Sequence, residues 1–228
     1  MTDAGRRPPA PPDRRRILLL MGAVGTGKGT QAAILSERLG LVHLASGNLF
    51  REAMREGTPL GERARVYMER GDLVPDEITI EMFMEQLSRP SAARGAILDG
   101  FPRTVIQARA LDATLAARGE RIDRVIFIDV PVEVLVARVA GRLVCPVCSS
   151  SYHPLTDPPR VPGICDDDGA TLTQRDDDRE DVVRARIAKQ VPPMLEVVRH
   201  YEQAGIVNRV DGDQEIDAVT GEIVEALG

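Results

Sequence analysis

The run Gly22-Ala23-Val24-Gly25-Thr26-Gly27-Lys28-Gly29-Thr30-Gln31 follows directly on the apolar stretch Ile17-Leu18-Leu19-Leu20-Met21. Behind it comes an amphipathic segment, Ala32 to Leu39. A buried strand, a glycine-rich turn, a lysine and a helix, in that order, build a phosphate cradle. Glycines let backbone N–H groups converge on phosphate oxygens, and the helix N-terminus adds partial positive charge. Lys28 supplies a mobile point charge for the outer phosphates. The spacing fits G-x-x-x-x-G-K, with Gly29 where that pattern carries Ser or Thr. No side chain at position 29 can therefore ligate magnesium, and Thr30 is the neighbouring hydroxyl. Gly25, Gly27, Lys28, Gly29 and Thr30 are the candidate phosphate-loop residues.

Apolar runs and helical patterns alternate along the rest of the chain. Strands are expected at 17–21, 41–44, 96–99, 124–130 and 206–210. These runs lack in-out alternation, as parallel strands covered on both faces do. Helices are expected from Thr58-Pro59, from Asp76-Glu77, from Thr104 to Arg118, over 47–56 with Ser46 as a possible cap, and over 214–227 capped by Asp213. The fold class is thus α/β, a parallel sheet with helices on both faces. Two stretches, 45–74 and 143–177, break the alternation and read as excursions that could serve as a substrate arm and a mobile lid.

Composition narrows the function. The 228 residues suit one domain with insertions. A net charge of −6 and few aromatics, with no Trp, weigh against a nucleic-acid surface. No segment approaches the ~20 apolar residues of a membrane helix. Residues 1–15, rich in Pro and Arg, read as a disordered tail. Three cysteines and no export signal point to the cytoplasm.

Cys145-Pro-Val-Cys148 and Cys165-Asp-Asp-Asp168 form two knuckles of C-x-x-C type. Together they predict a four-ligand structural zinc site, Cys145, Cys148, Cys165 and Asp168. Asp166 or Asp167 could replace Asp168, and His153 is a weaker rival. A loop with so few apolar residues needs such a staple. The flanking acids, Asp166 to Asp168 and Asp176 to Asp178, argue against a nucleic-acid-binding ribbon.

From Ile17 to the C-terminus the chain resembles the adenylate kinase family in its long-lid bacterial form. The resemblance is carried by GAVGTGKGTQ (22–31), LASGNLFRE (44–52), LDGFPRT (98–104) with Gln107, the cysteine knuckles, and QRDDDREDVVRAR (174–186). It implies reversible Mg2+-dependent transfer from ATP to AMP, giving two ADP, by a monomer without nucleic-acid or membrane partners. It also implies a core of 16–44, 75–142 and 178–228, an AMP-binding arm at 45–74 and a zinc-stapled lid at 143–177. Ser46, Arg51, Gly100, Arg103, Gln107, Arg175 and Arg186 would bind AMP, with Gly100 and Gln107 on its adenine. Lys28, Arg138 and Arg142 would bind ATP, and Asp99 would order magnesium through water. Asp129, at another strand end, is the rival without the Gly-Phe-Pro-Arg sequence behind it. Lys28, Arg103, Arg138, Arg142, Arg175 and Arg186 would be catalytic. Physically this is coherent, since the attacking phosphate is already ionised and needs alignment and charge neutralisation, not a base. Arginine suits that task because its planar fork grips phosphate bidentately and stays charged. Arg138 and Arg142, four residues apart, are expected on one helix face. The acids from Asp176 to Asp181 read as a solvated face, with one carboxylate free to pair a lid arginine. Alternatives of related chemistry are a UMP or CMP acceptor or a GTP donor; one of another class is a zinc-ribbon nucleotide-binding module without transfer.

Two positions depart from the family pattern. Asn48 stands where relatives usually carry Asp, which weakens any hold on hydrated magnesium. Val24 stands where they usually have Pro, so the loop lacks a lock on φ. Val24→Pro should raise the melting temperature of the nucleotide-free protein by roughly 1–4 °C; an unchanged or lower value would refute the entropic argument.

Overall fold

A computed structural model of the chain describes residues 15–69, 72–148, 150–174 and 178–228. Among these residues the strands are β1 (Arg16–Met21), β2 (Val42–Ala45), β3 (Gly95–Asp99), β4 (Arg124–Asp129), β5 (Leu143–Val144), β6 (Ser151–Tyr152) and β7 (Val207–Asp211). The helices are α1 (Lys28–Leu39), α2 (Ser46–Glu56), α3 (Pro59–Glu69), α4 (Asp76–Leu87), α5 (Val105–Ala116), α6 (Val132–Ala140), α7 (Glu180–Glu202) and α8 (Ile216–Leu227).

Five strands make one parallel sheet in the order β2-β3-β1-β4-β7. The absence of alternation in the sequence has its reason here, because both faces are covered. Ile17, Leu19 and Met21 of β1 enter one core with α4 and α5, through Phe83, Leu111 and Leu115. Leu18 and Leu20 enter the opposite core with α1, α6 and α8, through Leu35, Leu135, Val139 and Ile223. Helix α7 serves both: Val183 and Ile187 belong to the second core, Val197, Val198 and Tyr201 to the first. Pro192 and Pro193 lie between these two sets. Each lacks a backbone donor, which weakens the helix where it changes partners.

Topology gathers the functional loops. The loop after β1 leads to α1 on one face and the loop after β3 leads to α5 on the other, so β1 and β3 flank a switch point, where α/β ligands collect. Register places Asp99 opposite both Leu20 and Ala45. The glycine loop, Ser46 and the Asp99-Gly100 corner therefore open on one edge. Asp129 pairs with Asp211 farther along that edge.

Two stretches of the described residues leave the sheet. Between β2 and α4 the chain forms the α2–α3 hairpin. Between α6 and α7 it forms the small β5–β6 sheet, with a core cluster of Cys145, Cys165 and Leu172 among the described residues. Strand ends lie within one residue of expectation, but three local readings are corrected. Helix α2 starts at Ser46 itself, so Ala45 is the cap position, and the Ser46 hydroxyl accepts from Arg103 at 3.0 Å. Helix α8 starts after Glu215, and Asp213 pairs with Arg138 instead of capping. Helix α6 ends at Ala140, which puts Arg142 beyond it and separates it from Arg138. The tail expected over 1–15 lies outside the described residues except for Arg15. That side chain is anchored to Glu120 at 3.0 Å and to the Leu87 carbonyl at 2.9 Å.

Candidate active site

A cleft of about 1430 Å³ opens at the C-terminal edge of the sheet. Its floor is the glycine loop. Gly25 has φ +88°, and a Cβ there would stand 2.7 Å from the Val139 side chain, so only glycine lets the loop pass α6. Lys28, the first residue of α1, reaches back over the loop and donates to the Ala23 carbonyl at 2.7 Å. Burial pushes its ammonium down to about 8; Asp99 opposes this, while Arg103, Arg142 and Arg186 reinforce it. Gly27, Gly29 and Thr30 are exposed at the mouth of the same loop.

The corner after β3 forms the facing wall. Asp99 accepts from, or shares a proton with, His43 Nε2 at 3.3 Å. Burial acts to raise its carboxyl, but the His43 bond and the charges of Lys28 and Arg103 hold it below its ordinary range. Asp129, the alternative, is exposed and outside the cleft. Gly100 has φ +72°, and a Cβ there would fall 2.7 Å from Ser46 Oγ. This close approach lets Arg103 fold over the corner, its Nε donating to the Gly100 carbonyl at 2.7 Å and its Nη2 to Ser46. Behind them Phe101 stacks on Phe83, with ring centroids 4.1 Å apart. Gln107 is buried at the start of α5. On α2, Arg51 donates to the Asn48 side chain at 2.5 Å.

Two arginines close the cleft from the α7 side. Arg142 makes a bidentate pair with Asp178, at 2.9 and 2.5 Å. Arg186 stands 3.9 Å from the same carboxylate, which is fully buried. Asp178 thus pairs with arginines on either side of 143–177, not within it, and Glu180 and Asp181 of the same run pair with Arg184 and Arg179. Arg138 lines the cleft too, but it is turned to the Gly212 carbonyl at 2.8 Å and to Asp213. Arg175 lies outside the described residues. His43, Asp76 and the Gly212–Gln214 loop are cleft residues without a motif of their own, and Asp178 is buried behind Arg142 and Arg186. Asp76 and Asp213 carried only helix-start signals, and Asp178 was one acid in a run of them.

The cysteine knuckles converge. Ligand atoms of Cys145, Cys148, Cys165 and Asp168 all lie within 4.8 Å of one another. The Cys148 and Cys165 sulfurs are 3.5 Å apart, near the ~3.8 Å expected of two thiolates tetrahedral about zinc. The rivals are not members of this cluster. Asp166 accepts from the Arg160 amide, Asp167 from the Ser150 hydroxyl, and His153 Nδ1 from the Leu155 and Thr156 amides. The cluster suits a metal ion held by soft sulfur and one carboxylate.

Residues 20–206 match the family model described as adenylate kinase. The chain belongs to the adenylate kinase family. An adenylate kinase of Moorella thermoacetica is 48% identical over 211 residues, covering 92% of this chain and 97% of that relative. Those of Exiguobacterium sibiricum and Bacillus subtilis are 44% and 45% identical, each over 92% of this chain and over 98% and 97% of their own. For an adenylate kinase, a glycine loop facing a wall of arginines is a cleft for two anionic nucleotides.

The lowered Lys28 pKa gives a stability prediction. Below pH 8 the ammonium is charged in both folded and unfolded chains, so the cost of burying it is fully present. Between about 8 and 10.5 the folded protein loses that proton first, and the cost is relieved. Lys28→Met should therefore raise the melting temperature of the nucleotide-free protein at pH 7, with the gain shrinking as pH climbs from 8 to 10. A pH-independent difference would show that burial does not perturb this lysine.

Proposed function

We infer that the chain catalyses reversible transfer of a phosphoryl group from MgATP to AMP, giving two ADP. The observation that carries this reading is the pairing, in one cleft, of a glycine loop bearing Lys28 with a second cationic wall of Arg103, Arg142 and Arg186. A nucleotide switch needs the first alone.

The donor triphosphate lies along Gly25, Gly27, Gly29 and Thr30, with the α1 amides and Lys28 on its outer phosphates. Arg138 and Arg142 bind the donor as well, Arg138 from beside the Gly212–Asp213 loop. The acceptor phosphate lies between Arg51 and Arg103, with Ser46 beside it, and Gly100 and Gln107 face its base. Lys28, Arg103, Arg142 and Arg186 surround the group in flight; Arg138 and Arg175 complete the catalytic set. They neutralise charge crowded between two polyanions and align attack, and no residue has to remove a proton. Asp99, ionised beside Lys28, is the group suited to hold the water shell of magnesium, which supplies charge neutralisation on the phosphates when bound. Closure of the arm at 45–74 and the lid at 143–177 over the core keeps water from accepting the phosphoryl group. Cys145, Cys148, Cys165 and Asp168 hold a structural zinc ion, four protein ligands leaving no open position. The protein works as a cytoplasmic monomer, without nucleic-acid or membrane partners. In support, its net charge is −6, and no helix of the described residues is long and apolar enough to cross a membrane.

A coupled assay of ADP formation with MgATP and AMP, UMP, CMP or GMP tests the reading. Turnover should be fast with AMP, and Arg103→Ala should lower kcat about a hundredfold or more; silence with every acceptor despite ATP binding would sink it. The purified protein should carry about one zinc per chain, lost in Cys165→Ser with a lower melting temperature. Elemental analysis that finds no metal in the intact protein would reject the zinc assignment.

A further inference from the structure

Gln107 is the one buried side-chain amide on the acceptor wall whose orientation is dictated from both ends. Its Oε1 accepts from the Arg103 backbone N–H at 2.7 Å, and its Nε2 donates to Asp76 Oδ1 at 2.7 Å. Neither partner can exchange roles, because an N–H only donates and an ionised carboxylate only accepts. The carboxylate is itself held, its second oxygen accepting from Thr104 Oγ1 at 3.1 Å. Thr104 in turn caps α5 by accepting from the Gln107 amide at 3.2 Å. Flipping the Gln107 amide would set oxygen against carboxylate and N–H against N–H, in a residue only 3% exposed. Such unmatched buried polar groups are costly.

A side-chain amide has two N–H groups and two lone pairs. After these two bonds, one of each remains, and their order in space is fixed. We propose that Asp76 is a specificity-determining positioning residue. It locks the polarity of Gln107 so that the acceptor base must present an amino donor beside a ring-nitrogen acceptor. Adenine offers that pair. Hypoxanthine, guanine and uracil offer a carbonyl beside a ring N–H, the reverse order, and leave the amide facing like against like. Cytosine has the matching order but lacks a purine's reach. The proposal rests on the reading that Gln107 faces the acceptor base. Asp76 acts on the base through Gln107, while its second oxygen holds the Thr104 cap.

The test compares kcat/KM for AMP and IMP at saturating MgATP. These acceptors have the same shape and opposite polarity at positions 1 and 6. Asp76→Asn keeps the shape of the side chain but can donate as well as accept, so the ratio of AMP to IMP should fall about tenfold. The change should appear in the acceptor KM, with the KM for MgATP unmoved. Asp76→Ala, which leaves the Arg103 amide as the remaining lock, should shift the ratio the same way. A residue that merely supported the fold would lower both acceptors alike along with the melting temperature. An unchanged ratio in both Asp76 variants, with the ratio flattened in Gln107→Leu, would overturn the proposal and keep Gln107 as the base contact. A Gln107→Leu variant with unaltered AMP KM and unaltered ratio would remove that contact and the proposal with it. Failure of the unsubstituted protein to use any monophosphate would instead overturn the phosphotransfer reading itself.

Discussion

Mutual repulsion among Lys28, Arg103, Arg142 and Arg186 is the constraint around which the cleft is arranged. Burial makes Lys28 harder to protonate, and each of the three arginines adds to that effect. Two carboxylates moderate this crowd, Asp99 beside Lys28 and Asp178 between the two α7-side arginines. The cations also enter from separate elements: the start of α1, the loop after β3, the segment after α6, and α7. They converge at the sheet edge, Lys28 and Arg103 held by the Ala23 and Gly100 carbonyls and Arg142 and Arg186 by the Asp178 carboxylate. Polyanionic substrates then supply the counter-charge that the protein leaves incomplete.

Much of this was legible in the chain. Apolar runs without alternation announced strands covered on both faces, and the glycine loop with Lys28 named its own site because backbone conformation and ligand chemistry both demand those residues. The cysteine knuckles were equally plain, since metal geometry sets their spacing. What stayed hidden was recognition between distant side chains. Asp76 already had a sufficient explanation as an acid in the first turn of α4, and nothing in its neighbourhood pointed 31 residues on to Gln107. His43, on a short strand with no motif, gave no sign of its contact with Asp99. The interval of four between Arg138 and Arg142 suggested one helix face, but it could not reveal that α6 stops at Ala140. Ser46 illustrates the same limit: a serine before a helix suits a cap, and here its hydroxyl is taken by Arg103.

The two excursions are built on different physical terms. The α2–α3 hairpin shares the first core, contributing Leu49, Phe50, Ala53 and Ala64 to it. Among the described residues the β5–β6 unit has a small core cluster of its own, Cys145, Cys165 and Leu172, two of them cysteines of the Cys145-Cys148-Cys165-Asp168 group. With so little apolar surface, such a unit would draw its shape from the proposed metal ion. The hairpin is thus tied to the sheet, while the cysteine unit is free to be organised locally.

Helix α7 has a consequence for how this chain can vary in length. Its first half is keyed to one core and its second half to the other, with the two prolines between them. One residue inserted at that junction would rotate everything beyond it by about 100° and carry Val197, Val198 and Tyr201 away from their core. A deletion would do the same in the opposite sense. The loops of the cysteine unit, by contrast, could gain or lose residues between the knuckles without touching the sheet. Among relatives of different length, the differences should therefore collect on either side of α7, and the span from Val183 to Tyr201 should keep its count of nineteen.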